Sequence, residues 1–377
     1  MTQATAITYP LAVRGAVLRS TGSATPYVDS RPLTIEDLAL QAPGPHEVLV
    51  RIEAAGLCHS DLSVINGSRP RPLPMLLGHE AAGIVEDLGQ AVSDLERGQR
   101  VVMVFLPRCG ECAGCSTDGR RPCERGSATN AAGTLLDGGH RITAPGPQVQ
   151  HHLGVSGFAT HAVVDRRSVV PVDADVPAPV AAVLGCALLT GGGAVLNVRR
   201  PTRSDSVAVV GLGGVGMAAL ITARALGVER LVAIDHLPEK LARASQLGAT
   251  EVHTPEEAAD RGVTADLVIE AAGHPRAFET AVSATAVGGT MVTVGLPAPG
   301  DVSSIEPLGI TAGARSIVGS YLGSAVPDRD IPLYVDLWRA GRLDVEALVS
   351  ASIGLDDVNA AMDSLAAGHA VRQVITF

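Results

Sequence analysis

The sequence predicts an α/β protein of two domains, one β-rich and the other a doubly wound parallel sheet. Three observations predict it. The chain has 377 residues, too many for one compact core. Residues 12–55 carry short strand-like runs broken by Pro and Gly. Residues 207–235 instead read as strand, helix and strand in succession.

In chain order, 13–19, 33–39 and 47–54 alternate or run apolar, which predicts a mostly antiparallel first domain. The β-branched run 207–210 predicts a buried strand, and Gly211-Leu212-Gly213-Gly214-Val215-Gly216 follows at once. Residues 217–226 are apolar at helical spacing, and 231–234 form a second strand ending at Asp235. This is the G-x-G-x-x-G fingerprint in a βαβ setting, the mark of a Rossmann dinucleotide fold. Gly211 permits the tight turn, Gly213 lets a pyrophosphate approach the main chain, and Gly216 lets helix and strand pack closely. The helix N-terminus offers N–H groups and positive dipole to the phosphates. Asp235, 19 residues after Gly216, can accept both hydroxyls of an adenosine ribose and repels a 2′-phosphate, which predicts NAD over NADP. The rhythm continues with a helix at 241–247 and strands at 266–269, 290–294 and 316–319, the last closing the sheet. Residues 332–340 and 356–367 have helical spacing, and Trp338 reads as core or interface.

Composition narrows the function. Hydrophobic residues make up 46% and charged residues 18%, which fits a globular enzyme and excludes disorder. Net charge is −10 with no Lys/Arg run beyond pairs such as Arg120-Arg121, so no nucleic-acid partner is expected. Aromatics are only 2%, so core and pocket are expected to be aliphatic. The most apolar window, 176–198, holds two prolines and several glycines and reads as buried helix and loop, not a membrane span. Residues 1–10 lack a basic flank and apolar core, so no signal peptide is expected and the protein is read as cytoplasmic.

Six cysteines in such a chain suggest metal ligands. Cys109, Cys112, Cys115 and Cys123, with glycines to bend the loop, suit a closed tetrahedral zinc of structural role. A ferredoxin-type iron–sulfur cluster is the rival, but the last spacing is too long and no Pro follows Cys123. Cys58 and His79 are two of the three donors a catalytic zinc needs, and Cys186 alone remains as the third. By itself His79 reads as a buried core histidine; the otherwise unexplained cysteines favour a metal.

These motifs, with Gly56-Leu57-Cys58-His59-Ser60-Asp61, Gly78-His79-Glu80, Leu184-Gly185-Cys186 and the closing residues 371–377, resemble the zinc-dependent medium-chain alcohol dehydrogenases. Residues 126–165, including His151-His152-Leu153-Gly154, resemble the longer loop of their animal and plant classes. The resemblance implies a GroES-like β-rich catalytic domain of residues 1–188 and 323–377 with two zinc sites, and a Rossmann NAD-binding domain of residues 189–322. It implies hydride transfer between NAD and an alcohol/aldehyde or alcohol/ketone pair, zinc polarising the substrate oxygen. A thiol-adduct formaldehyde dehydrogenase is the alternative and needs a basic or polar pocket rim. A dinucleotide-binding protein without catalysis is disfavoured because all three zinc donors are present.

The resemblance also implies roles. Glu80 sits behind the catalytic zinc, and Asp61 hydrogen-bonds His79. Ser60 takes the alcohol proton, and Ser63 stands where many relatives have the relay histidine. His59 and Arg372 contact the pyrophosphate, and Lys240 supports the adenosine ribose. Thr190 and Val294 face the nicotinamide, and Phe105 lines the substrate pocket. A homodimer is expected, favoured over a homotetramer by the long loop at 126–150.

Overall fold

A computed structural model describes residues 7–377; the stretch 1–10 read above for a signal lies partly outside them. Three sheets organise the chain. The six-stranded sheet is parallel throughout. Its order is Glu251–His253, Arg230–Ile234, Ser206–Val210, Ala265–Glu270, Thr285–Thr293, Ser316–Gly319. Strand order reverses between Ser206–Val210 and Ala265–Glu270, and such a switch point opens a crevice at the carboxyl ends of the two strands. Val207, Val209, Leu267 and Ile269 are fully buried there. Each contributes roughly 1.5–3 kcal/mol by leaving water, which is why these runs read as apolar without alternation.

The β-rich part holds the other two sheets. One is Ile142–Thr143, Leu33–Leu40, Leu11–Leu18, Met75–Leu76, Gln150–His151 in order. The other runs Val169–Val172, Arg100–Met103, Ala81–Leu88, Glu47–Gly56, Gln373–Thr376, Ala351–Ile353, with His161–Asp165 also on Glu47–Gly56. The last strand of the chain thus returns to a strand near its beginning, pairing Val374 with Gly56. Asn359 Oδ1 accepts the Leu33 N–H at 3.1 Å and fastens the C-terminal helix to the same domain.

Two expectations are corrected. The window 176–198 is not helix and loop: it is helical without a break from Ala178 to Val198, with wide π-type turns at Leu184–Leu188 and Ala194–Val198. Its length and composition would suit a membrane, but 89% of its apolar window is buried in this protein's core. The expected boundary at 188/189 falls inside this helix. Tertiary packing overrides local propensity here, because a side chain on Gly191 would overlap the Val215 carbonyl of the neighbouring helix. The helix read as starting at Pro332 begins at Pro327, a proline in the favoured first turn, and carries Pro332 inside. Trp338 packs partly buried against the core, and its Nε1 donates to Glu346 at 2.7 Å.

His151 gives the fold an acid limit. It is buried, its Nε2 accepts the Arg141 N–H at 3.1 Å, and its Nδ1 has no partner. Burial, with His140 and Arg141 adding, pushes its pKa from 6.5 down to about 3. Above pH 6.5 both folded and unfolded states hold it neutral. Below that the unfolded chain takes the proton first, so stability falls by about 1.4 kcal/mol per pH unit until the folded pKa is reached. Urea melts are expected to lose about 2 kcal/mol between pH 6.5 and 5 from this group, and His151→Gln, which keeps an acceptor for Arg141, to flatten that slope. An unchanged slope in the variant would remove His151 as the cause.

Candidate active site

Between the β-rich part and the parallel sheet lies a cleft of about 850 Å³. Its floor is built by three distant segments. Cys58 precedes the helix His59–Ile65, His79 lies between Met75–Leu76 and Ala81–Leu88, and Cys186 sits on the first π-type turn of the long helix. Wide turns of this kind re-aim side chains, and this one brings Cys186 Sγ within 3.5 Å of His79 Nε2. The donor atoms of Cys58, His79 and Cys186 all lie within 4.8 Å of one another.

Electrostatics favour a cation at that point. A hydrogen bond from Cys186, then Arg372 and His79, hold the Cys58 thiol well below its ordinary range against burial. The same shared proton and burial push Cys186 up. Burial opposes charge on His79, but Asp61 and Cys58 draw it well above its ordinary value. His79 Nδ1 donates to Asp61 Oδ1 at 3.0 Å, leaving Nε2 turned toward the thiols. Two sulfurs and one aimed imidazole nitrogen are a zinc donor set with a fourth position free, so these residues fit the metal.

The other four cysteines also fit. Their sulfurs lie within 4.8 Å of one another, with Cys109–Cys115 at 3.9 Å and Cys112–Cys123 at 4.0 Å. Tetrahedral sulfurs about 2.3 Å from one zinc are about 3.8 Å apart. Backbone N–H groups of Glu124 and Cys115 donate to Cys112 Sγ and pull its pKa down to about 6, favouring the thiolate a metal needs.

The opposite wall is the glycine turn. Gly211 has φ +89°, and a Cβ on Gly216 would overlap the Gly211 carbonyl, so the turn and the close packing both need glycine. Gly213 opens on free space. Gly214 and Val215 begin the helix Gly214–Ala225 at the cleft. Asp235 is nearly buried at the end of the second strand, accepting Leu212 N–H at 2.7 Å and Leu237 N–H at 3.0 Å. Lys240, Thr190 and Val294 line the cleft, as do Phe105, His59 and Ser60. Ser63 turns its hydroxyl to the His59 carbonyl at 2.8 Å, within its own helix.

Arg372 is buried rather than on the surface. Its Nη1 donates to the Leu57 carbonyl at 2.7 Å and lies 3.3 Å from Glu80, and its guanidinium packs on Gly214. Burial pushes the Glu80 carboxyl up to about 7 although Arg372 opposes the shift.

Sequence reasoning missed four residues of the cleft. His152 is buried with Nδ1 3.3 Å from Asp61, and its only signal was the His151-His152 pair. Tyr321 stands edge-on to Phe105 at 5.9 Å, so the pocket is not purely aliphatic. Arg69 and Arg71 also line it; the Arg-Pro-Arg-Pro alternation was their signal.

Soft metal donors facing the phosphate turn of a doubly wound sheet are the plan of a metal-assisted dehydrogenase. Comparison with known proteins agrees. Residues 44–174 match the alcohol dehydrogenase GroES-like domain model, and 214–339 match the zinc-binding dehydrogenase model. The chain is similar to an alcohol dehydrogenase zinc-binding domain protein from Burkholderia ambifaria at 32% identity, covering 97% of this chain and 99% of that one, with TM-score 0.89. Benzyl alcohol dehydrogenase from Acinetobacter calcoaceticus is 29% identical over 97% and 99%, with TM-score 0.88. Acetophenone reductase from Geotrichum candidum, solved with NAD, is 25% identical over 98% of each chain, with TM-score 0.78. The chain belongs to the zinc-dependent alcohol dehydrogenases of the medium-chain dehydrogenase/reductase superfamily.

Proposed function

We propose that this enzyme uses NAD, rather than NADP, to interconvert primary or secondary alcohols with aldehydes or ketones, and that it holds two zinc ions. The observation that carries the reading is the convergence of Cys58, His79 and Cys186 within 4.8 Å on the floor of the cleft that the glycine turn faces. Zinc held there supplies a Lewis acid for the substrate oxygen, and NAD supplies the hydride acceptor.

The chain's own residues do the rest. Asp61 fixes the His79 tautomer through the Nδ1 hydrogen bond. Ser60 Oγ takes the hydroxyl proton; Ser63, bonded within its helix, does not continue a relay, so the proton leaves to water. Thr190 and Val294 hold the nicotinamide against the substrate, and Phe105 closes the apolar side of the pocket. Gly211, Gly213, Gly214, Val215 and Gly216 seat the pyrophosphate with His59 and Arg372. Asp235 and Lys240 seat the adenosine ribose, where a 2′-phosphate would meet the nearly buried carboxylate. The cysteines at 109, 112, 115 and 123 hold the second zinc and brace their lobe. The catalytic unit is residues 1–188 with 323–377, around the nucleotide unit 189–322. A homodimer is supported by the open edge strand Ser316–Gly319 and by the exposure of Val287, on the strand beside it.

The test is zinc per chain together with NAD and NADP reduction across primary and secondary alcohols, with and without added thiol and formaldehyde. Two zincs and thiol-independent turnover with at least roughly a hundredfold preference for NAD are expected, since a buried carboxylate facing a phosphate costs several kcal/mol. Turnover only with thiol and formaldehyde together would move the assignment to the thiol-adduct enzyme. One zinc and no turnover would remove the catalytic assignment of Cys58, His79 and Cys186.

A further inference from the structure

Residues 68–74 read Ser-Arg-Pro-Arg-Pro-Leu-Pro. A residue before proline is driven out of the helical region, and proline fixes its own φ. Arg69 and Arg71 therefore sit on a conformationally restricted loop whose ordering costs little when a ligand arrives. Both line the cleft that Cys58, His79, Phe105 and Tyr321 also line.

Among the described residues no carboxylate forms an ion pair with either. Among the described residues their hydrogen bonds go only to backbone carbonyls, from Arg69 Nη2 to Leu296 at 3.5 Å and from Arg71 Nη1 to Asn130 at 3.2 Å. Arg71 Nε is buried with no partner at all. Burial and the neighbouring Arg69 both act against the Arg71 charge. The Tyr321 hydroxyl feels both guanidinium groups and, with opposite sign, the Cys186 thiol. Tyr321 is joined to the metal donors through Phe105, whose ring stands edge-on to His79 at 5.5 Å and to Tyr321 at 5.9 Å. The carboxylates that line the cleft, Asp235, Glu256 and Asp301, all belong to the parallel-sheet part. A pair of part-buried cations with a spare, unsatisfied N–H is costly until an anion binds, and planar guanidinium forks match a carboxylate in geometry.

We propose that Arg69 and Arg71 form a carboxylate-binding subsite for the substrate, so that the preferred alcohols carry an anionic group remote from the reacting hydroxyl. This rests on the dehydrogenase reading above and names its substrate class. The carboxylate can belong to the alcohol itself or to a thiol carrier in a formaldehyde adduct; the chemistry recognised is the same.

The test compares straight-chain primary alcohols with ω-hydroxycarboxylates of equal length, and formaldehyde with glutathione, on the zinc-loaded enzyme and its Arg71→Met, Arg71→Lys and Arg69→Met variants. The expected result is a higher kcat/KM for the carboxylates, carried by KM. Arg71→Met should cut that preference about tenfold to a hundredfold while Arg71→Lys keeps part of it, as loss of a charge-assisted hydrogen bond requires. Arg69→Met, at a more open position, should act in the same direction if Arg71→Met does not fold. If only the glutathione adduct shows the effect, the carboxylate is the carrier's and the subsite stands. Equal kcat/KM for charged and neutral alcohols with no adduct effect would overturn it. So would a variant in which the affinity for NADH alone falls instead, because the arginines would then serve the cofactor phosphates. Calorimetric binding of hexanoate needs no turnover and separates the two failures. Hexanoate bound by the parent and lost in Arg71→Met, without oxidation of any alcohol, keeps the subsite and sinks the dehydrogenase reading. Turnover of neutral alcohols without hexanoate binding does the reverse.

Discussion

Replacing His79 with alanine is expected to slow alcohol oxidation about a thousandfold and to remove one of two zinc ions from each chain. His79 is 1% exposed, anchored through Nδ1 to Asp61 and turned through Nε2 toward Cys186. Without the imidazole, Cys58 and Cys186 are the two donors of that group left among the described residues, one short of the three a catalytic zinc normally takes from the protein. Lewis-acid stabilisation of the transition state is worth several kcal/mol, and about 4 kcal/mol corresponds to a factor of about a thousand. Cys112→Ser is the control. It strikes the other cluster, whose four sulfurs leave no open position. Its zinc should also be lost, yet the damage should appear as a lower melting temperature, with kcat of the surviving folded protein near the parent value. Metal analysis with initial rates reads both. His79→Ala retaining two zincs and near-parental turnover would refute the catalytic site.

How much of this was legible beforehand varied with the kind of signal. The parallel sheet was readable because each buried strand is a short β-branched run closed by a turn residue, as at Val207–Val210 before Gly211. The two-residue strands Met75–Leu76, Ile142–Thr143 and Gln150–His151 carry no periodicity; they exist because neighbouring strands pair with them. The long helix was hidden by Pro177, Pro179 and Gly191-Gly192-Gly193, residues that locally argue for a loop. Those glycines are there for the neighbours: beside Gly191, already noted, a Cβ on Gly192 would crowd the Tyr334 hydroxyl at 2.7 Å. The two cysteine groupings were legible because cysteine is rare and its spacing is chemical. His152, Tyr321, Arg69 and Arg71 were not, because only the folded chain brings those loops to one cleft. Arg372 was named only by resemblance, and its burial against Glu80 is a property of the closing strand's return to Glu47–Gly56.

That burial gives the second large prediction. Arg372→Met is expected to weaken NADH binding roughly tenfold to a hundredfold and to lower stability by about 2 kcal/mol. The guanidinium lies on Gly214 at the start of the phosphate-facing helix, so its loss removes a buried full positive charge beside that N-terminus. Removing one member of a buried ion pair ordinarily costs about 3–5 kcal/mol, because the other charge is left alone. Here the cost is capped. Glu80, already pushed up to about 7 by burial, escapes by taking a proton, and what remains is chiefly the lost hydrogen bond to the Leu57 carbonyl. The double variant Glu80→Gln with Arg372→Met should therefore recover part of the stability and none of the NADH affinity. Thermal unfolding and NADH fluorescence titration separate the two effects. If Arg372→Met leaves NADH affinity unchanged while stability falls, the arginine serves the fold through Glu80 and Leu57 alone, and its assignment to the pyrophosphate is wrong.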